Sequence, residues 1–173
     1  PNPRPYQEGY SMNPYQGCEH GCAYCYARNS HEYWGYSAGM DFEQKILYKQ
    51  DAPKLLQKAI LAKNYKPMEI VLSGNTDCYQ PIERKMKLTR QCLEVLLKYK
   101  HPTSIITKNN LIERDLDIYQ EMASLNIIRI HISLNTTDED IKRIMEPRTS
   151  PVRAMLRTIS LLSSHNIPVY VLA

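Results

Sequence analysis

The chain has 173 residues, a formal net charge of +4 at pH 7, and 43% hydrophobic against 23% charged residues. That is enough chain for one domain with a sizeable core, in the composition range of globular proteins rather than disordered or fibrous ones. No apolar run approaches the roughly 18–20 residues that span a bilayer and no secretory leader is visible, so no membrane partner is expected; the mild positive charge permits an anionic partner without demanding one.

Residues 1 to about 45 are rich in Tyr, Gly, Asn and Pro and read as one short strand followed by a long functional loop. Pro53 to Asn64 then predicts a helix, with Asp51 as a cap and Leu55, Leu56, Ala59 and Ile60 as its apolar stripe. Glu69–Ser73 predicts a strand. Leu88–Tyr99 predicts a helix with Cys92, Leu93, Leu96 and Leu97 on one face, and Ser104–Lys108 a strand. Glu113–Leu125 predicts a helix that buries Leu116, Tyr119, Met122 and Ala123. Ile127–Leu134 is the clearest strand. Helical stretches follow near Asp138–Met145 and Val152–Ser164, and Pro168–Leu172 begins a further strand. Strands separated by helices imply right-handed βαβ units and a parallel sheet, an α/β fold. The loop Gly74–Lys87 is long for such a connection, which marks it as functional. No repeat or linker divides residues 1–173. The chain opens on Pro and stops within or just after an apolar strand, so a fragment of a longer protein is expected.

The strand Ile127–Leu134 alternates. Ile128, Ile130, Ile132 and Leu134 share one face, and Arg129, His131 and Ser133 the other. A doubly wound sheet buries both faces and prefers apolar residues on each. One polar face implies a lumen lined by that face, as in a barrel or partial barrel, or an edge strand with a solvated face.

Five cysteines are an odd number, and three of them fall within eight positions. A secreted disulfide scaffold shows an even, spread set, so a reduced, cytoplasmic setting with a metal site fits better. Cys18, Cys22 and Cys25 have the spacing C-x3-C-x2-C. Soft thiolates select zinc, copper(I) or iron–sulfur centres. Three thiolates fill three irons of a [4Fe–4S] cube and leave the fourth open. A Cys3His zinc site with His20 or His31 is the alternative. Gly17 and Gly21 permit the backbone turns such a loop needs.

C-x3-C-x2-C with an aromatic, here Tyr24, just before the last cysteine resembles the signature of the radical SAM superfamily. The stretches SMNPYQGCEHGCAYCYAR, NTDCYQPIERKMKLTR, SIITKN, IRIHISLNT and MEPRTSPVRAMLRTI together resemble its spore photoproduct lyase-related branch, the SplB-like or DNA repair photolyase-like group. The resemblance implies a (β/α)6 partial barrel, here truncated after the fifth strand. It implies a [4Fe–4S] cluster whose open iron chelates S-adenosylmethionine, an electron donor of flavodoxin or ferredoxin type, and a 5′-deoxyadenosyl radical that takes a hydrogen atom from the substrate.

Residue by residue, the resemblance places Tyr24 near the adenine and Tyr26 in a hydrogen-atom relay. It pairs Lys108 with the SAM carboxylate and sets Ser133 at the ribose. Ser73, Gly74 and Asn75 fall where the SAM amino group is bound. These residues, with Asp77, all lie at C-terminal ends of predicted strands, the face where barrels build active sites. The lyases carry a hydrogen-donor cysteine where this chain has Asn75. Cys78, three residues on in a polar loop, is expected to be accessible and is the candidate displaced donor. Cys92 reads as core packing.

Between Glu83 and Lys108 seven Lys or Arg face two Glu, and Arg84, Lys85, Lys87 and Arg90 form a cluster able to contact phosphates or a plain solvated face. Arg148 either helps bind SAM or substrate or pairs with Glu146. The resemblance implies a lyase acting on a thymine photolesion in DNA. A peptide or small-molecule substrate, and a non-catalytic iron–sulfur or zinc sensor, are the rival readings.

Overall fold

The computed structural model describes residues 9–173. Strand β1 (Tyr10–Met12) opens it. A small antiparallel pair, β2 (Tyr15–Gln16) and β3 (Leu47–Tyr48), brackets a loop that holds a 3-10 helix (Tyr26–Trp34) and the one-turn helix α1 (Asp41–Gln44). Then come α2 (Ala52–Ile60), β4 (Ile70–Leu72), α3 (Glu83–Met86), α4 (Leu88–Lys98) and β5 (Thr103–Thr107). A 3-10 turn (Asn110–Asp115) leads into α5 (Leu116–Ser124), followed by β6 (Ile128–Ser133), α6 (Glu139–Met145), α7 (Val152–Ser164) and β7 (Val169–Leu172).

Five strands form one parallel sheet in the order β1-β4-β5-β6-β7. Each new strand adds beside the last, without reversal. Right-handed crossovers then deliver every helix to the same face. A doubly wound sheet, by contrast, reverses its strand order at a switch point. The sheet is therefore a partial barrel wall. Its outer face packs Leu72, Ile105, Ile130 and Ile132 against Leu93, Leu96, Tyr119, Met122 and Met155 from the helices. Its inner face mixes polar and apolar positions: Val71 and Ile106 lie on it, Ser104 donates to Glu69 at 2.5 Å, and Arg129 reaches the same carboxylate at 3.5 Å. The alternation read in β6 is real, with Ile128, Ile130 and Ile132 buried, Arg129 exposed, and His131 and Ser133 half-buried.

The strands and long helices follow the sequence reading, with shorter ends. The stripe of α2 differs. Ala52 and Leu56 are buried and Ile60 half-buried, whereas Leu55 and Ala59 face solvent, because neighbouring residues are about 100° apart on a helix and the Ala52–Leu56–Ile60 row is the one that packs. The elements between residues 15 and 48 were not foreseen, being too short to show periodicity.

A buried ionic group ties the long β4–α4 connection to α5. Arg114 bonds Glu83 and Asp115, each at 2.7 Å, and the Tyr79 hydroxyl donates to Asp115 at 2.8 Å. Arg90 bonds Asp115 at 2.9 Å and Asp117 at 2.7 Å. Its guanidinium is thus committed inside the protein, which removes it from the basic cluster. Arg84, Lys85 and Lys87 remain exposed and form no ion pair among the described residues.

This packing has a measurable consequence. Leu96→Ala, at a site with 0% exposure, is expected to cost about 2–5 kcal/mol. Leu55→Ala should stay within about 0.5 kcal/mol. Urea unfolding of both variants checks the assigned faces, and equal losses would contradict them.

Candidate active site

The three clustered cysteines lie in the loop that follows β2, and the loop is clamped from several sides. Gly17 turns it with φ +80°, and a Cβ there would come within 2.8 Å of the Phe42 carbonyl, so a side chain is excluded. The Cys18 amide donates to that same carbonyl at 2.8 Å, and the Ala23 amide donates to Met145 at 2.8 Å, at the end of α6. Arg28 donates to the Cys22 carbonyl at 3.1 Å and bonds Glu43 at 2.5 Å. Arg148 donates to the Glu19 carbonyl and pairs with Glu43. Arg148 therefore clamps the cysteine loop and does not pair with Glu146.

Cys18, Cys22 and Cys25 are free thiols that line one cavity of about 300 Å³. Burial pushes the Cys18 thiol up to about 12 and the Cys22 thiol up to about 11, so without a metal both stay protonated. Among the described residues no three His, Cys, Asp or Glu side chains are gathered tightly enough to hold a metal ion. A zinc site needs all its donors about 2.0–2.3 Å from one point. A four-iron cube takes one thiolate per iron and so accepts three more widely spread ligands.

The two histidines differ. His20, almost fully buried, meets the Asn109 amide nitrogen at 3.1 Å and Asp77 at 3.4 Å. The amide NH2 can only donate, so the network assigns the ring proton to Nδ1, facing Asp77. Burial lowers its pKa, which keeps the ring neutral. His31 lies outside the cavity lining, edge-on to Phe42 and tilted on Tyr36.

The far wall of the cavity comes from strand ends. Ser73, at φ +78°, closes β4, and its hydroxyl accepts from the Cys78 amide at 2.7 Å. Asn13 accepts from the amides of Asn75 at 2.9 Å and Thr76 at 3.3 Å, which fixes the turn. Tyr26, largely exposed at the cavity, donates to the Gly74 carbonyl. Asp77 reaches the cavity wall, yet its carboxylate is spent inside the protein. It accepts from the Tyr79 amide (2.8 Å), the Thr107 hydroxyl (2.8 Å) and the Lys108 amide (2.7 Å). Asp77 thus locks β4 to β5 rather than offering a free carboxylate. Cys78 is a correction too: it is 0% exposed and absent from the cavity lining, because its amide and carbonyl are both bonded inward, to Ser73 and Thr89. Cys92 is core, as its helix face implied.

Lys108 and Ser133 meet at the cavity. The ammonium donates to the Ser133 hydroxyl at 2.7 Å and to Glu146 at 2.8 Å, 5.5 Å from the centroid of the Tyr24 ring. Glu146, buried, also accepts from Lys142 at 2.5 Å and from the Tyr24 hydroxyl, to which Asn135 donates at 2.6 Å. Burial alone would raise the Glu146 pKa, but bonds from Lys108, Lys142 and Tyr24 outweigh it and hold the value at about 2. Burial likewise works against the Lys108 charge, and the bonds to Glu146 and Tyr24 reverse the balance, leaving its pKa above the ordinary value. Sequence reasoning gave Glu146 no role beyond a partner for Arg148 and missed Lys142, Asn135, Asn13 and Asn109. The available signal was the four-residue spacing of Lys142 and Glu146 on a predicted helix.

Comparison with known proteins places this geometry. A family model described as the radical SAM superfamily matches residues 12–173. An uncharacterized protein of Mycobacterium tuberculosis is 30% identical over 163 residues, covering 94% of this chain and 48% of the relative. One of Methanocaldococcus jannaschii is 32% identical over 139 residues, covering 80% and 49%. The chain thus spans about half the length of the curated relatives it matches. Among solved structures, spore photoproduct lyase complexed with dinucleoside spore photoproduct superposes with a TM-score of 0.67 at 17% identity, over 97% of this chain and 46% of that one. The anSMEcpe structure with bound AdoMet gives 0.61 at 14%, over 94% and 43%. At these identities the structural likeness speaks for the fold.

The Glu146 network sets a pH window. The folded pKa is depressed from the ordinary 4.5 to about 2, so its stabilisation is complete above about 4.5 and fades as pH falls toward 2. The stability gap between the wild type and Glu146→Gln is therefore expected to be full at pH 7 and to shrink across that window. Denaturant midpoints of both proteins at pH 7 and pH 3 test this, and a constant gap would contradict an ionised Glu146.

Proposed function

This chain belongs to the radical SAM superfamily, and from that premise we propose that it is a radical SAM enzyme whose Cys18, Cys22 and Cys25 hold a [4Fe–4S] cluster beside S-adenosylmethionine. The observation that carries this reading is that the three thiols share one cavity with the Lys108 ammonium and the Ser133 hydroxyl. When bound, a reduced cluster of this kind supplies the electron that splits SAM into methionine and a 5′-deoxyadenosyl radical, the hydrogen abstractor.

The chain's own residues bind and orient. Lys108 is the cation on the cavity wall and receives the carboxylate of SAM. Ser133, at the end of β6, and Asn135, just past it, face its ribose. The Tyr24 ring, held by Glu146 and Asn135, offers a flat surface to the adenine. The Ser73–Asn75 turn, fixed by Asn13, lies where the amino group sits. Buried Cys18 and Cys22 keep water from the reacting centre. Tyr26 stands at the mouth with an exposed ring and relays a hydrogen atom. An electron donor of flavodoxin or ferredoxin type reduces the cluster, and the odd, clustered set of cysteines suits a reducing, cytoplasmic setting. No helix among the described residues is long and apolar enough to cross a membrane.

For substrate, a thymine photolesion in DNA comes first, since exposed Arg84, Lys85 and Lys87 are available for phosphates and the spore photoproduct lyase fold is shared. The lesion would have to be drawn out of the duplex to reach the cavity. A peptide or small-molecule substrate is the second reading, favoured by the burial of Cys78, which leaves no thiol other than the cluster ligands on the cavity wall. A non-catalytic metal sensor gives no account of the Lys108–Ser133 pairing.

The test is anaerobic reconstitution with iron and sulfide, reduction, and assay of 5′-deoxyadenosine. Wild type is expected to produce it and Cys25→Ala to produce none; absence from wild type with an intact cluster and photoproduct-containing DNA present would sink the radical reading. Lys108→Ala is expected to keep its iron yet bind SAM about thirtyfold more weakly or worse, roughly 2 kcal/mol. Calorimetry on the reconstituted protein measures this, and unaltered affinity removes Lys108 from the site.

A further inference from the structure

Lys108, Glu146 and Lys142 form a linked triad of two cations and one carboxylate. One carboxylate, Glu146, serves two ammonium groups and divides its oxygens between them, Oε1 to Lys108 at 2.8 Å and Oε2 to Lys142 at 2.5 Å. The side chains of Glu146 and Lys142 are 2% and 3% exposed, whereas that of Lys108 is 17% exposed and opens to the cavity. Among the described residues that line the cavity, the one carboxylate is Asp77, which is bound by two amides and a hydroxyl and pairs with no ammonium. The triad itself carries one positive charge in excess, and Lys108, its most exposed member, is the one that lines the cavity.

Lys142 does not line this cavity. It sits one turn before Glu146 on α6, a helix held in place by the Asp138 cap (2.9 and 3.0 Å to the amides of Asp140 and Ile141) and by the Ala23–Met145 bond. Its ammonium has one role in this geometry, which is to occupy Glu146. A buried ion group is seldom the most stable filling of such a space, and apolar residues of similar volume often do as well or better. A functional reason for it is therefore worth seeking.

We propose that Lys142 is a positioning residue for carboxylate recognition: by sharing Glu146 it keeps that carboxylate, already bonded to Lys108, from compensating Lys108 in full, and so sets the affinity of the cavity for the carboxylate of SAM. This rests on the reading of the cavity as a SAM site. It differs from a structural role in the sign of what a second substitution does. Removing the charge of Lys142 frees Glu146 to neutralise Lys108, and SAM binding falls. Removing the charge of Glu146 as well leaves Lys108 as the single cation again, and binding returns.

The experiment measures SAM affinity by calorimetry on cluster-reconstituted protein, with iron per chain and melting temperature recorded for every variant. Lys142→Gln keeps a donor for Glu146 and loses the charge; it is expected to weaken SAM binding about tenfold at full iron content. Lys142→Arg keeps the charge and should bind within about threefold of wild type. The double variant Lys142→Gln/Glu146→Gln should recover most of the loss. Unchanged affinity in Lys142→Gln, equal losses in the Gln and Arg variants, or no recovery in the double variant would each overturn the inference. No SAM binding by the wild type with its cluster intact would overturn the cavity reading itself and this inference with it.

Discussion

A parallel sheet that adds strands in one direction has a consequence that reaches every part of this site. With right-handed crossovers, the order β1-β4-β5-β6-β7 places all the helices outside and leaves the inner face without an apolar partner. Inner positions can consequently be polar, as Glu69, Ser104 and Arg129 are low on the wall, beside apolar Val71 and Ile106. The strands also end side by side, so the residues just past β4, β5 and β6 become neighbours although some thirty residues separate each from the next. Ser73, Lys108 and Ser133 meet for this reason, and the cysteine loop completes the ring from the β1 side.

What holds the ring is a set of side chains that spend their hydrogen-bonding capacity on backbone amides. Asp77 takes the amides of Tyr79 and Lys108, Asn13 those of Asn75 and Thr76, and Asn109 that of Leu111. Loops between strand and helix leave donors unpaired, and a buried unpaired donor costs about 1–3 kcal/mol. A carboxylate or amide oxygen that serves two amides removes that cost and fixes the turn at the same time. The polar loop Gly74–Lys87 is therefore well anchored, and Cys78 is carried into the core by bonds on both sides.

This explains what was legible in the sequence and what was not. Strand and helix periods are written in single residues, so the sheet, the long helices and the polar face of β6 could be read directly. The cysteine spacing is likewise local, as is the placing of Lys108 and Ser133 at strand ends. Burial in a loop is different. Cys78 reads as accessible because its neighbours are polar, yet those neighbours turn inward to bond backbone groups contributed from elsewhere. Arg90 reads as part of a basic cluster and Arg148 as a SAM or substrate ligand or a partner of Glu146 for the same reason; their actual partners Asp115, Asp117 and Glu43 lie 25, 27 and 105 residues away. Leu55 misled because an apolar pair on a helix looks like a stripe until the four-residue spacing from Ala52 decides which member faces inward.

Two buried ionic groups remain to be compared, and they differ in kind. Around Arg114, two cations share three carboxylates: Arg114 bonds Glu83 and Asp115, and Arg90 bonds Asp115 and Asp117. That group has a carboxylate for every cation, joins a loop to a helix and leaves no cation over for a ligand. Around Glu146 the count is two cations to one carboxylate, beside a cavity, with the least buried member facing it. Desolvating ions is costly in both places, and a balanced group recovers most of that cost internally. The triad has one cation in excess, and an anion that enters from the cavity meets that cation at Lys108. Under the function proposed above, that anion is the carboxylate of SAM, received by Lys108.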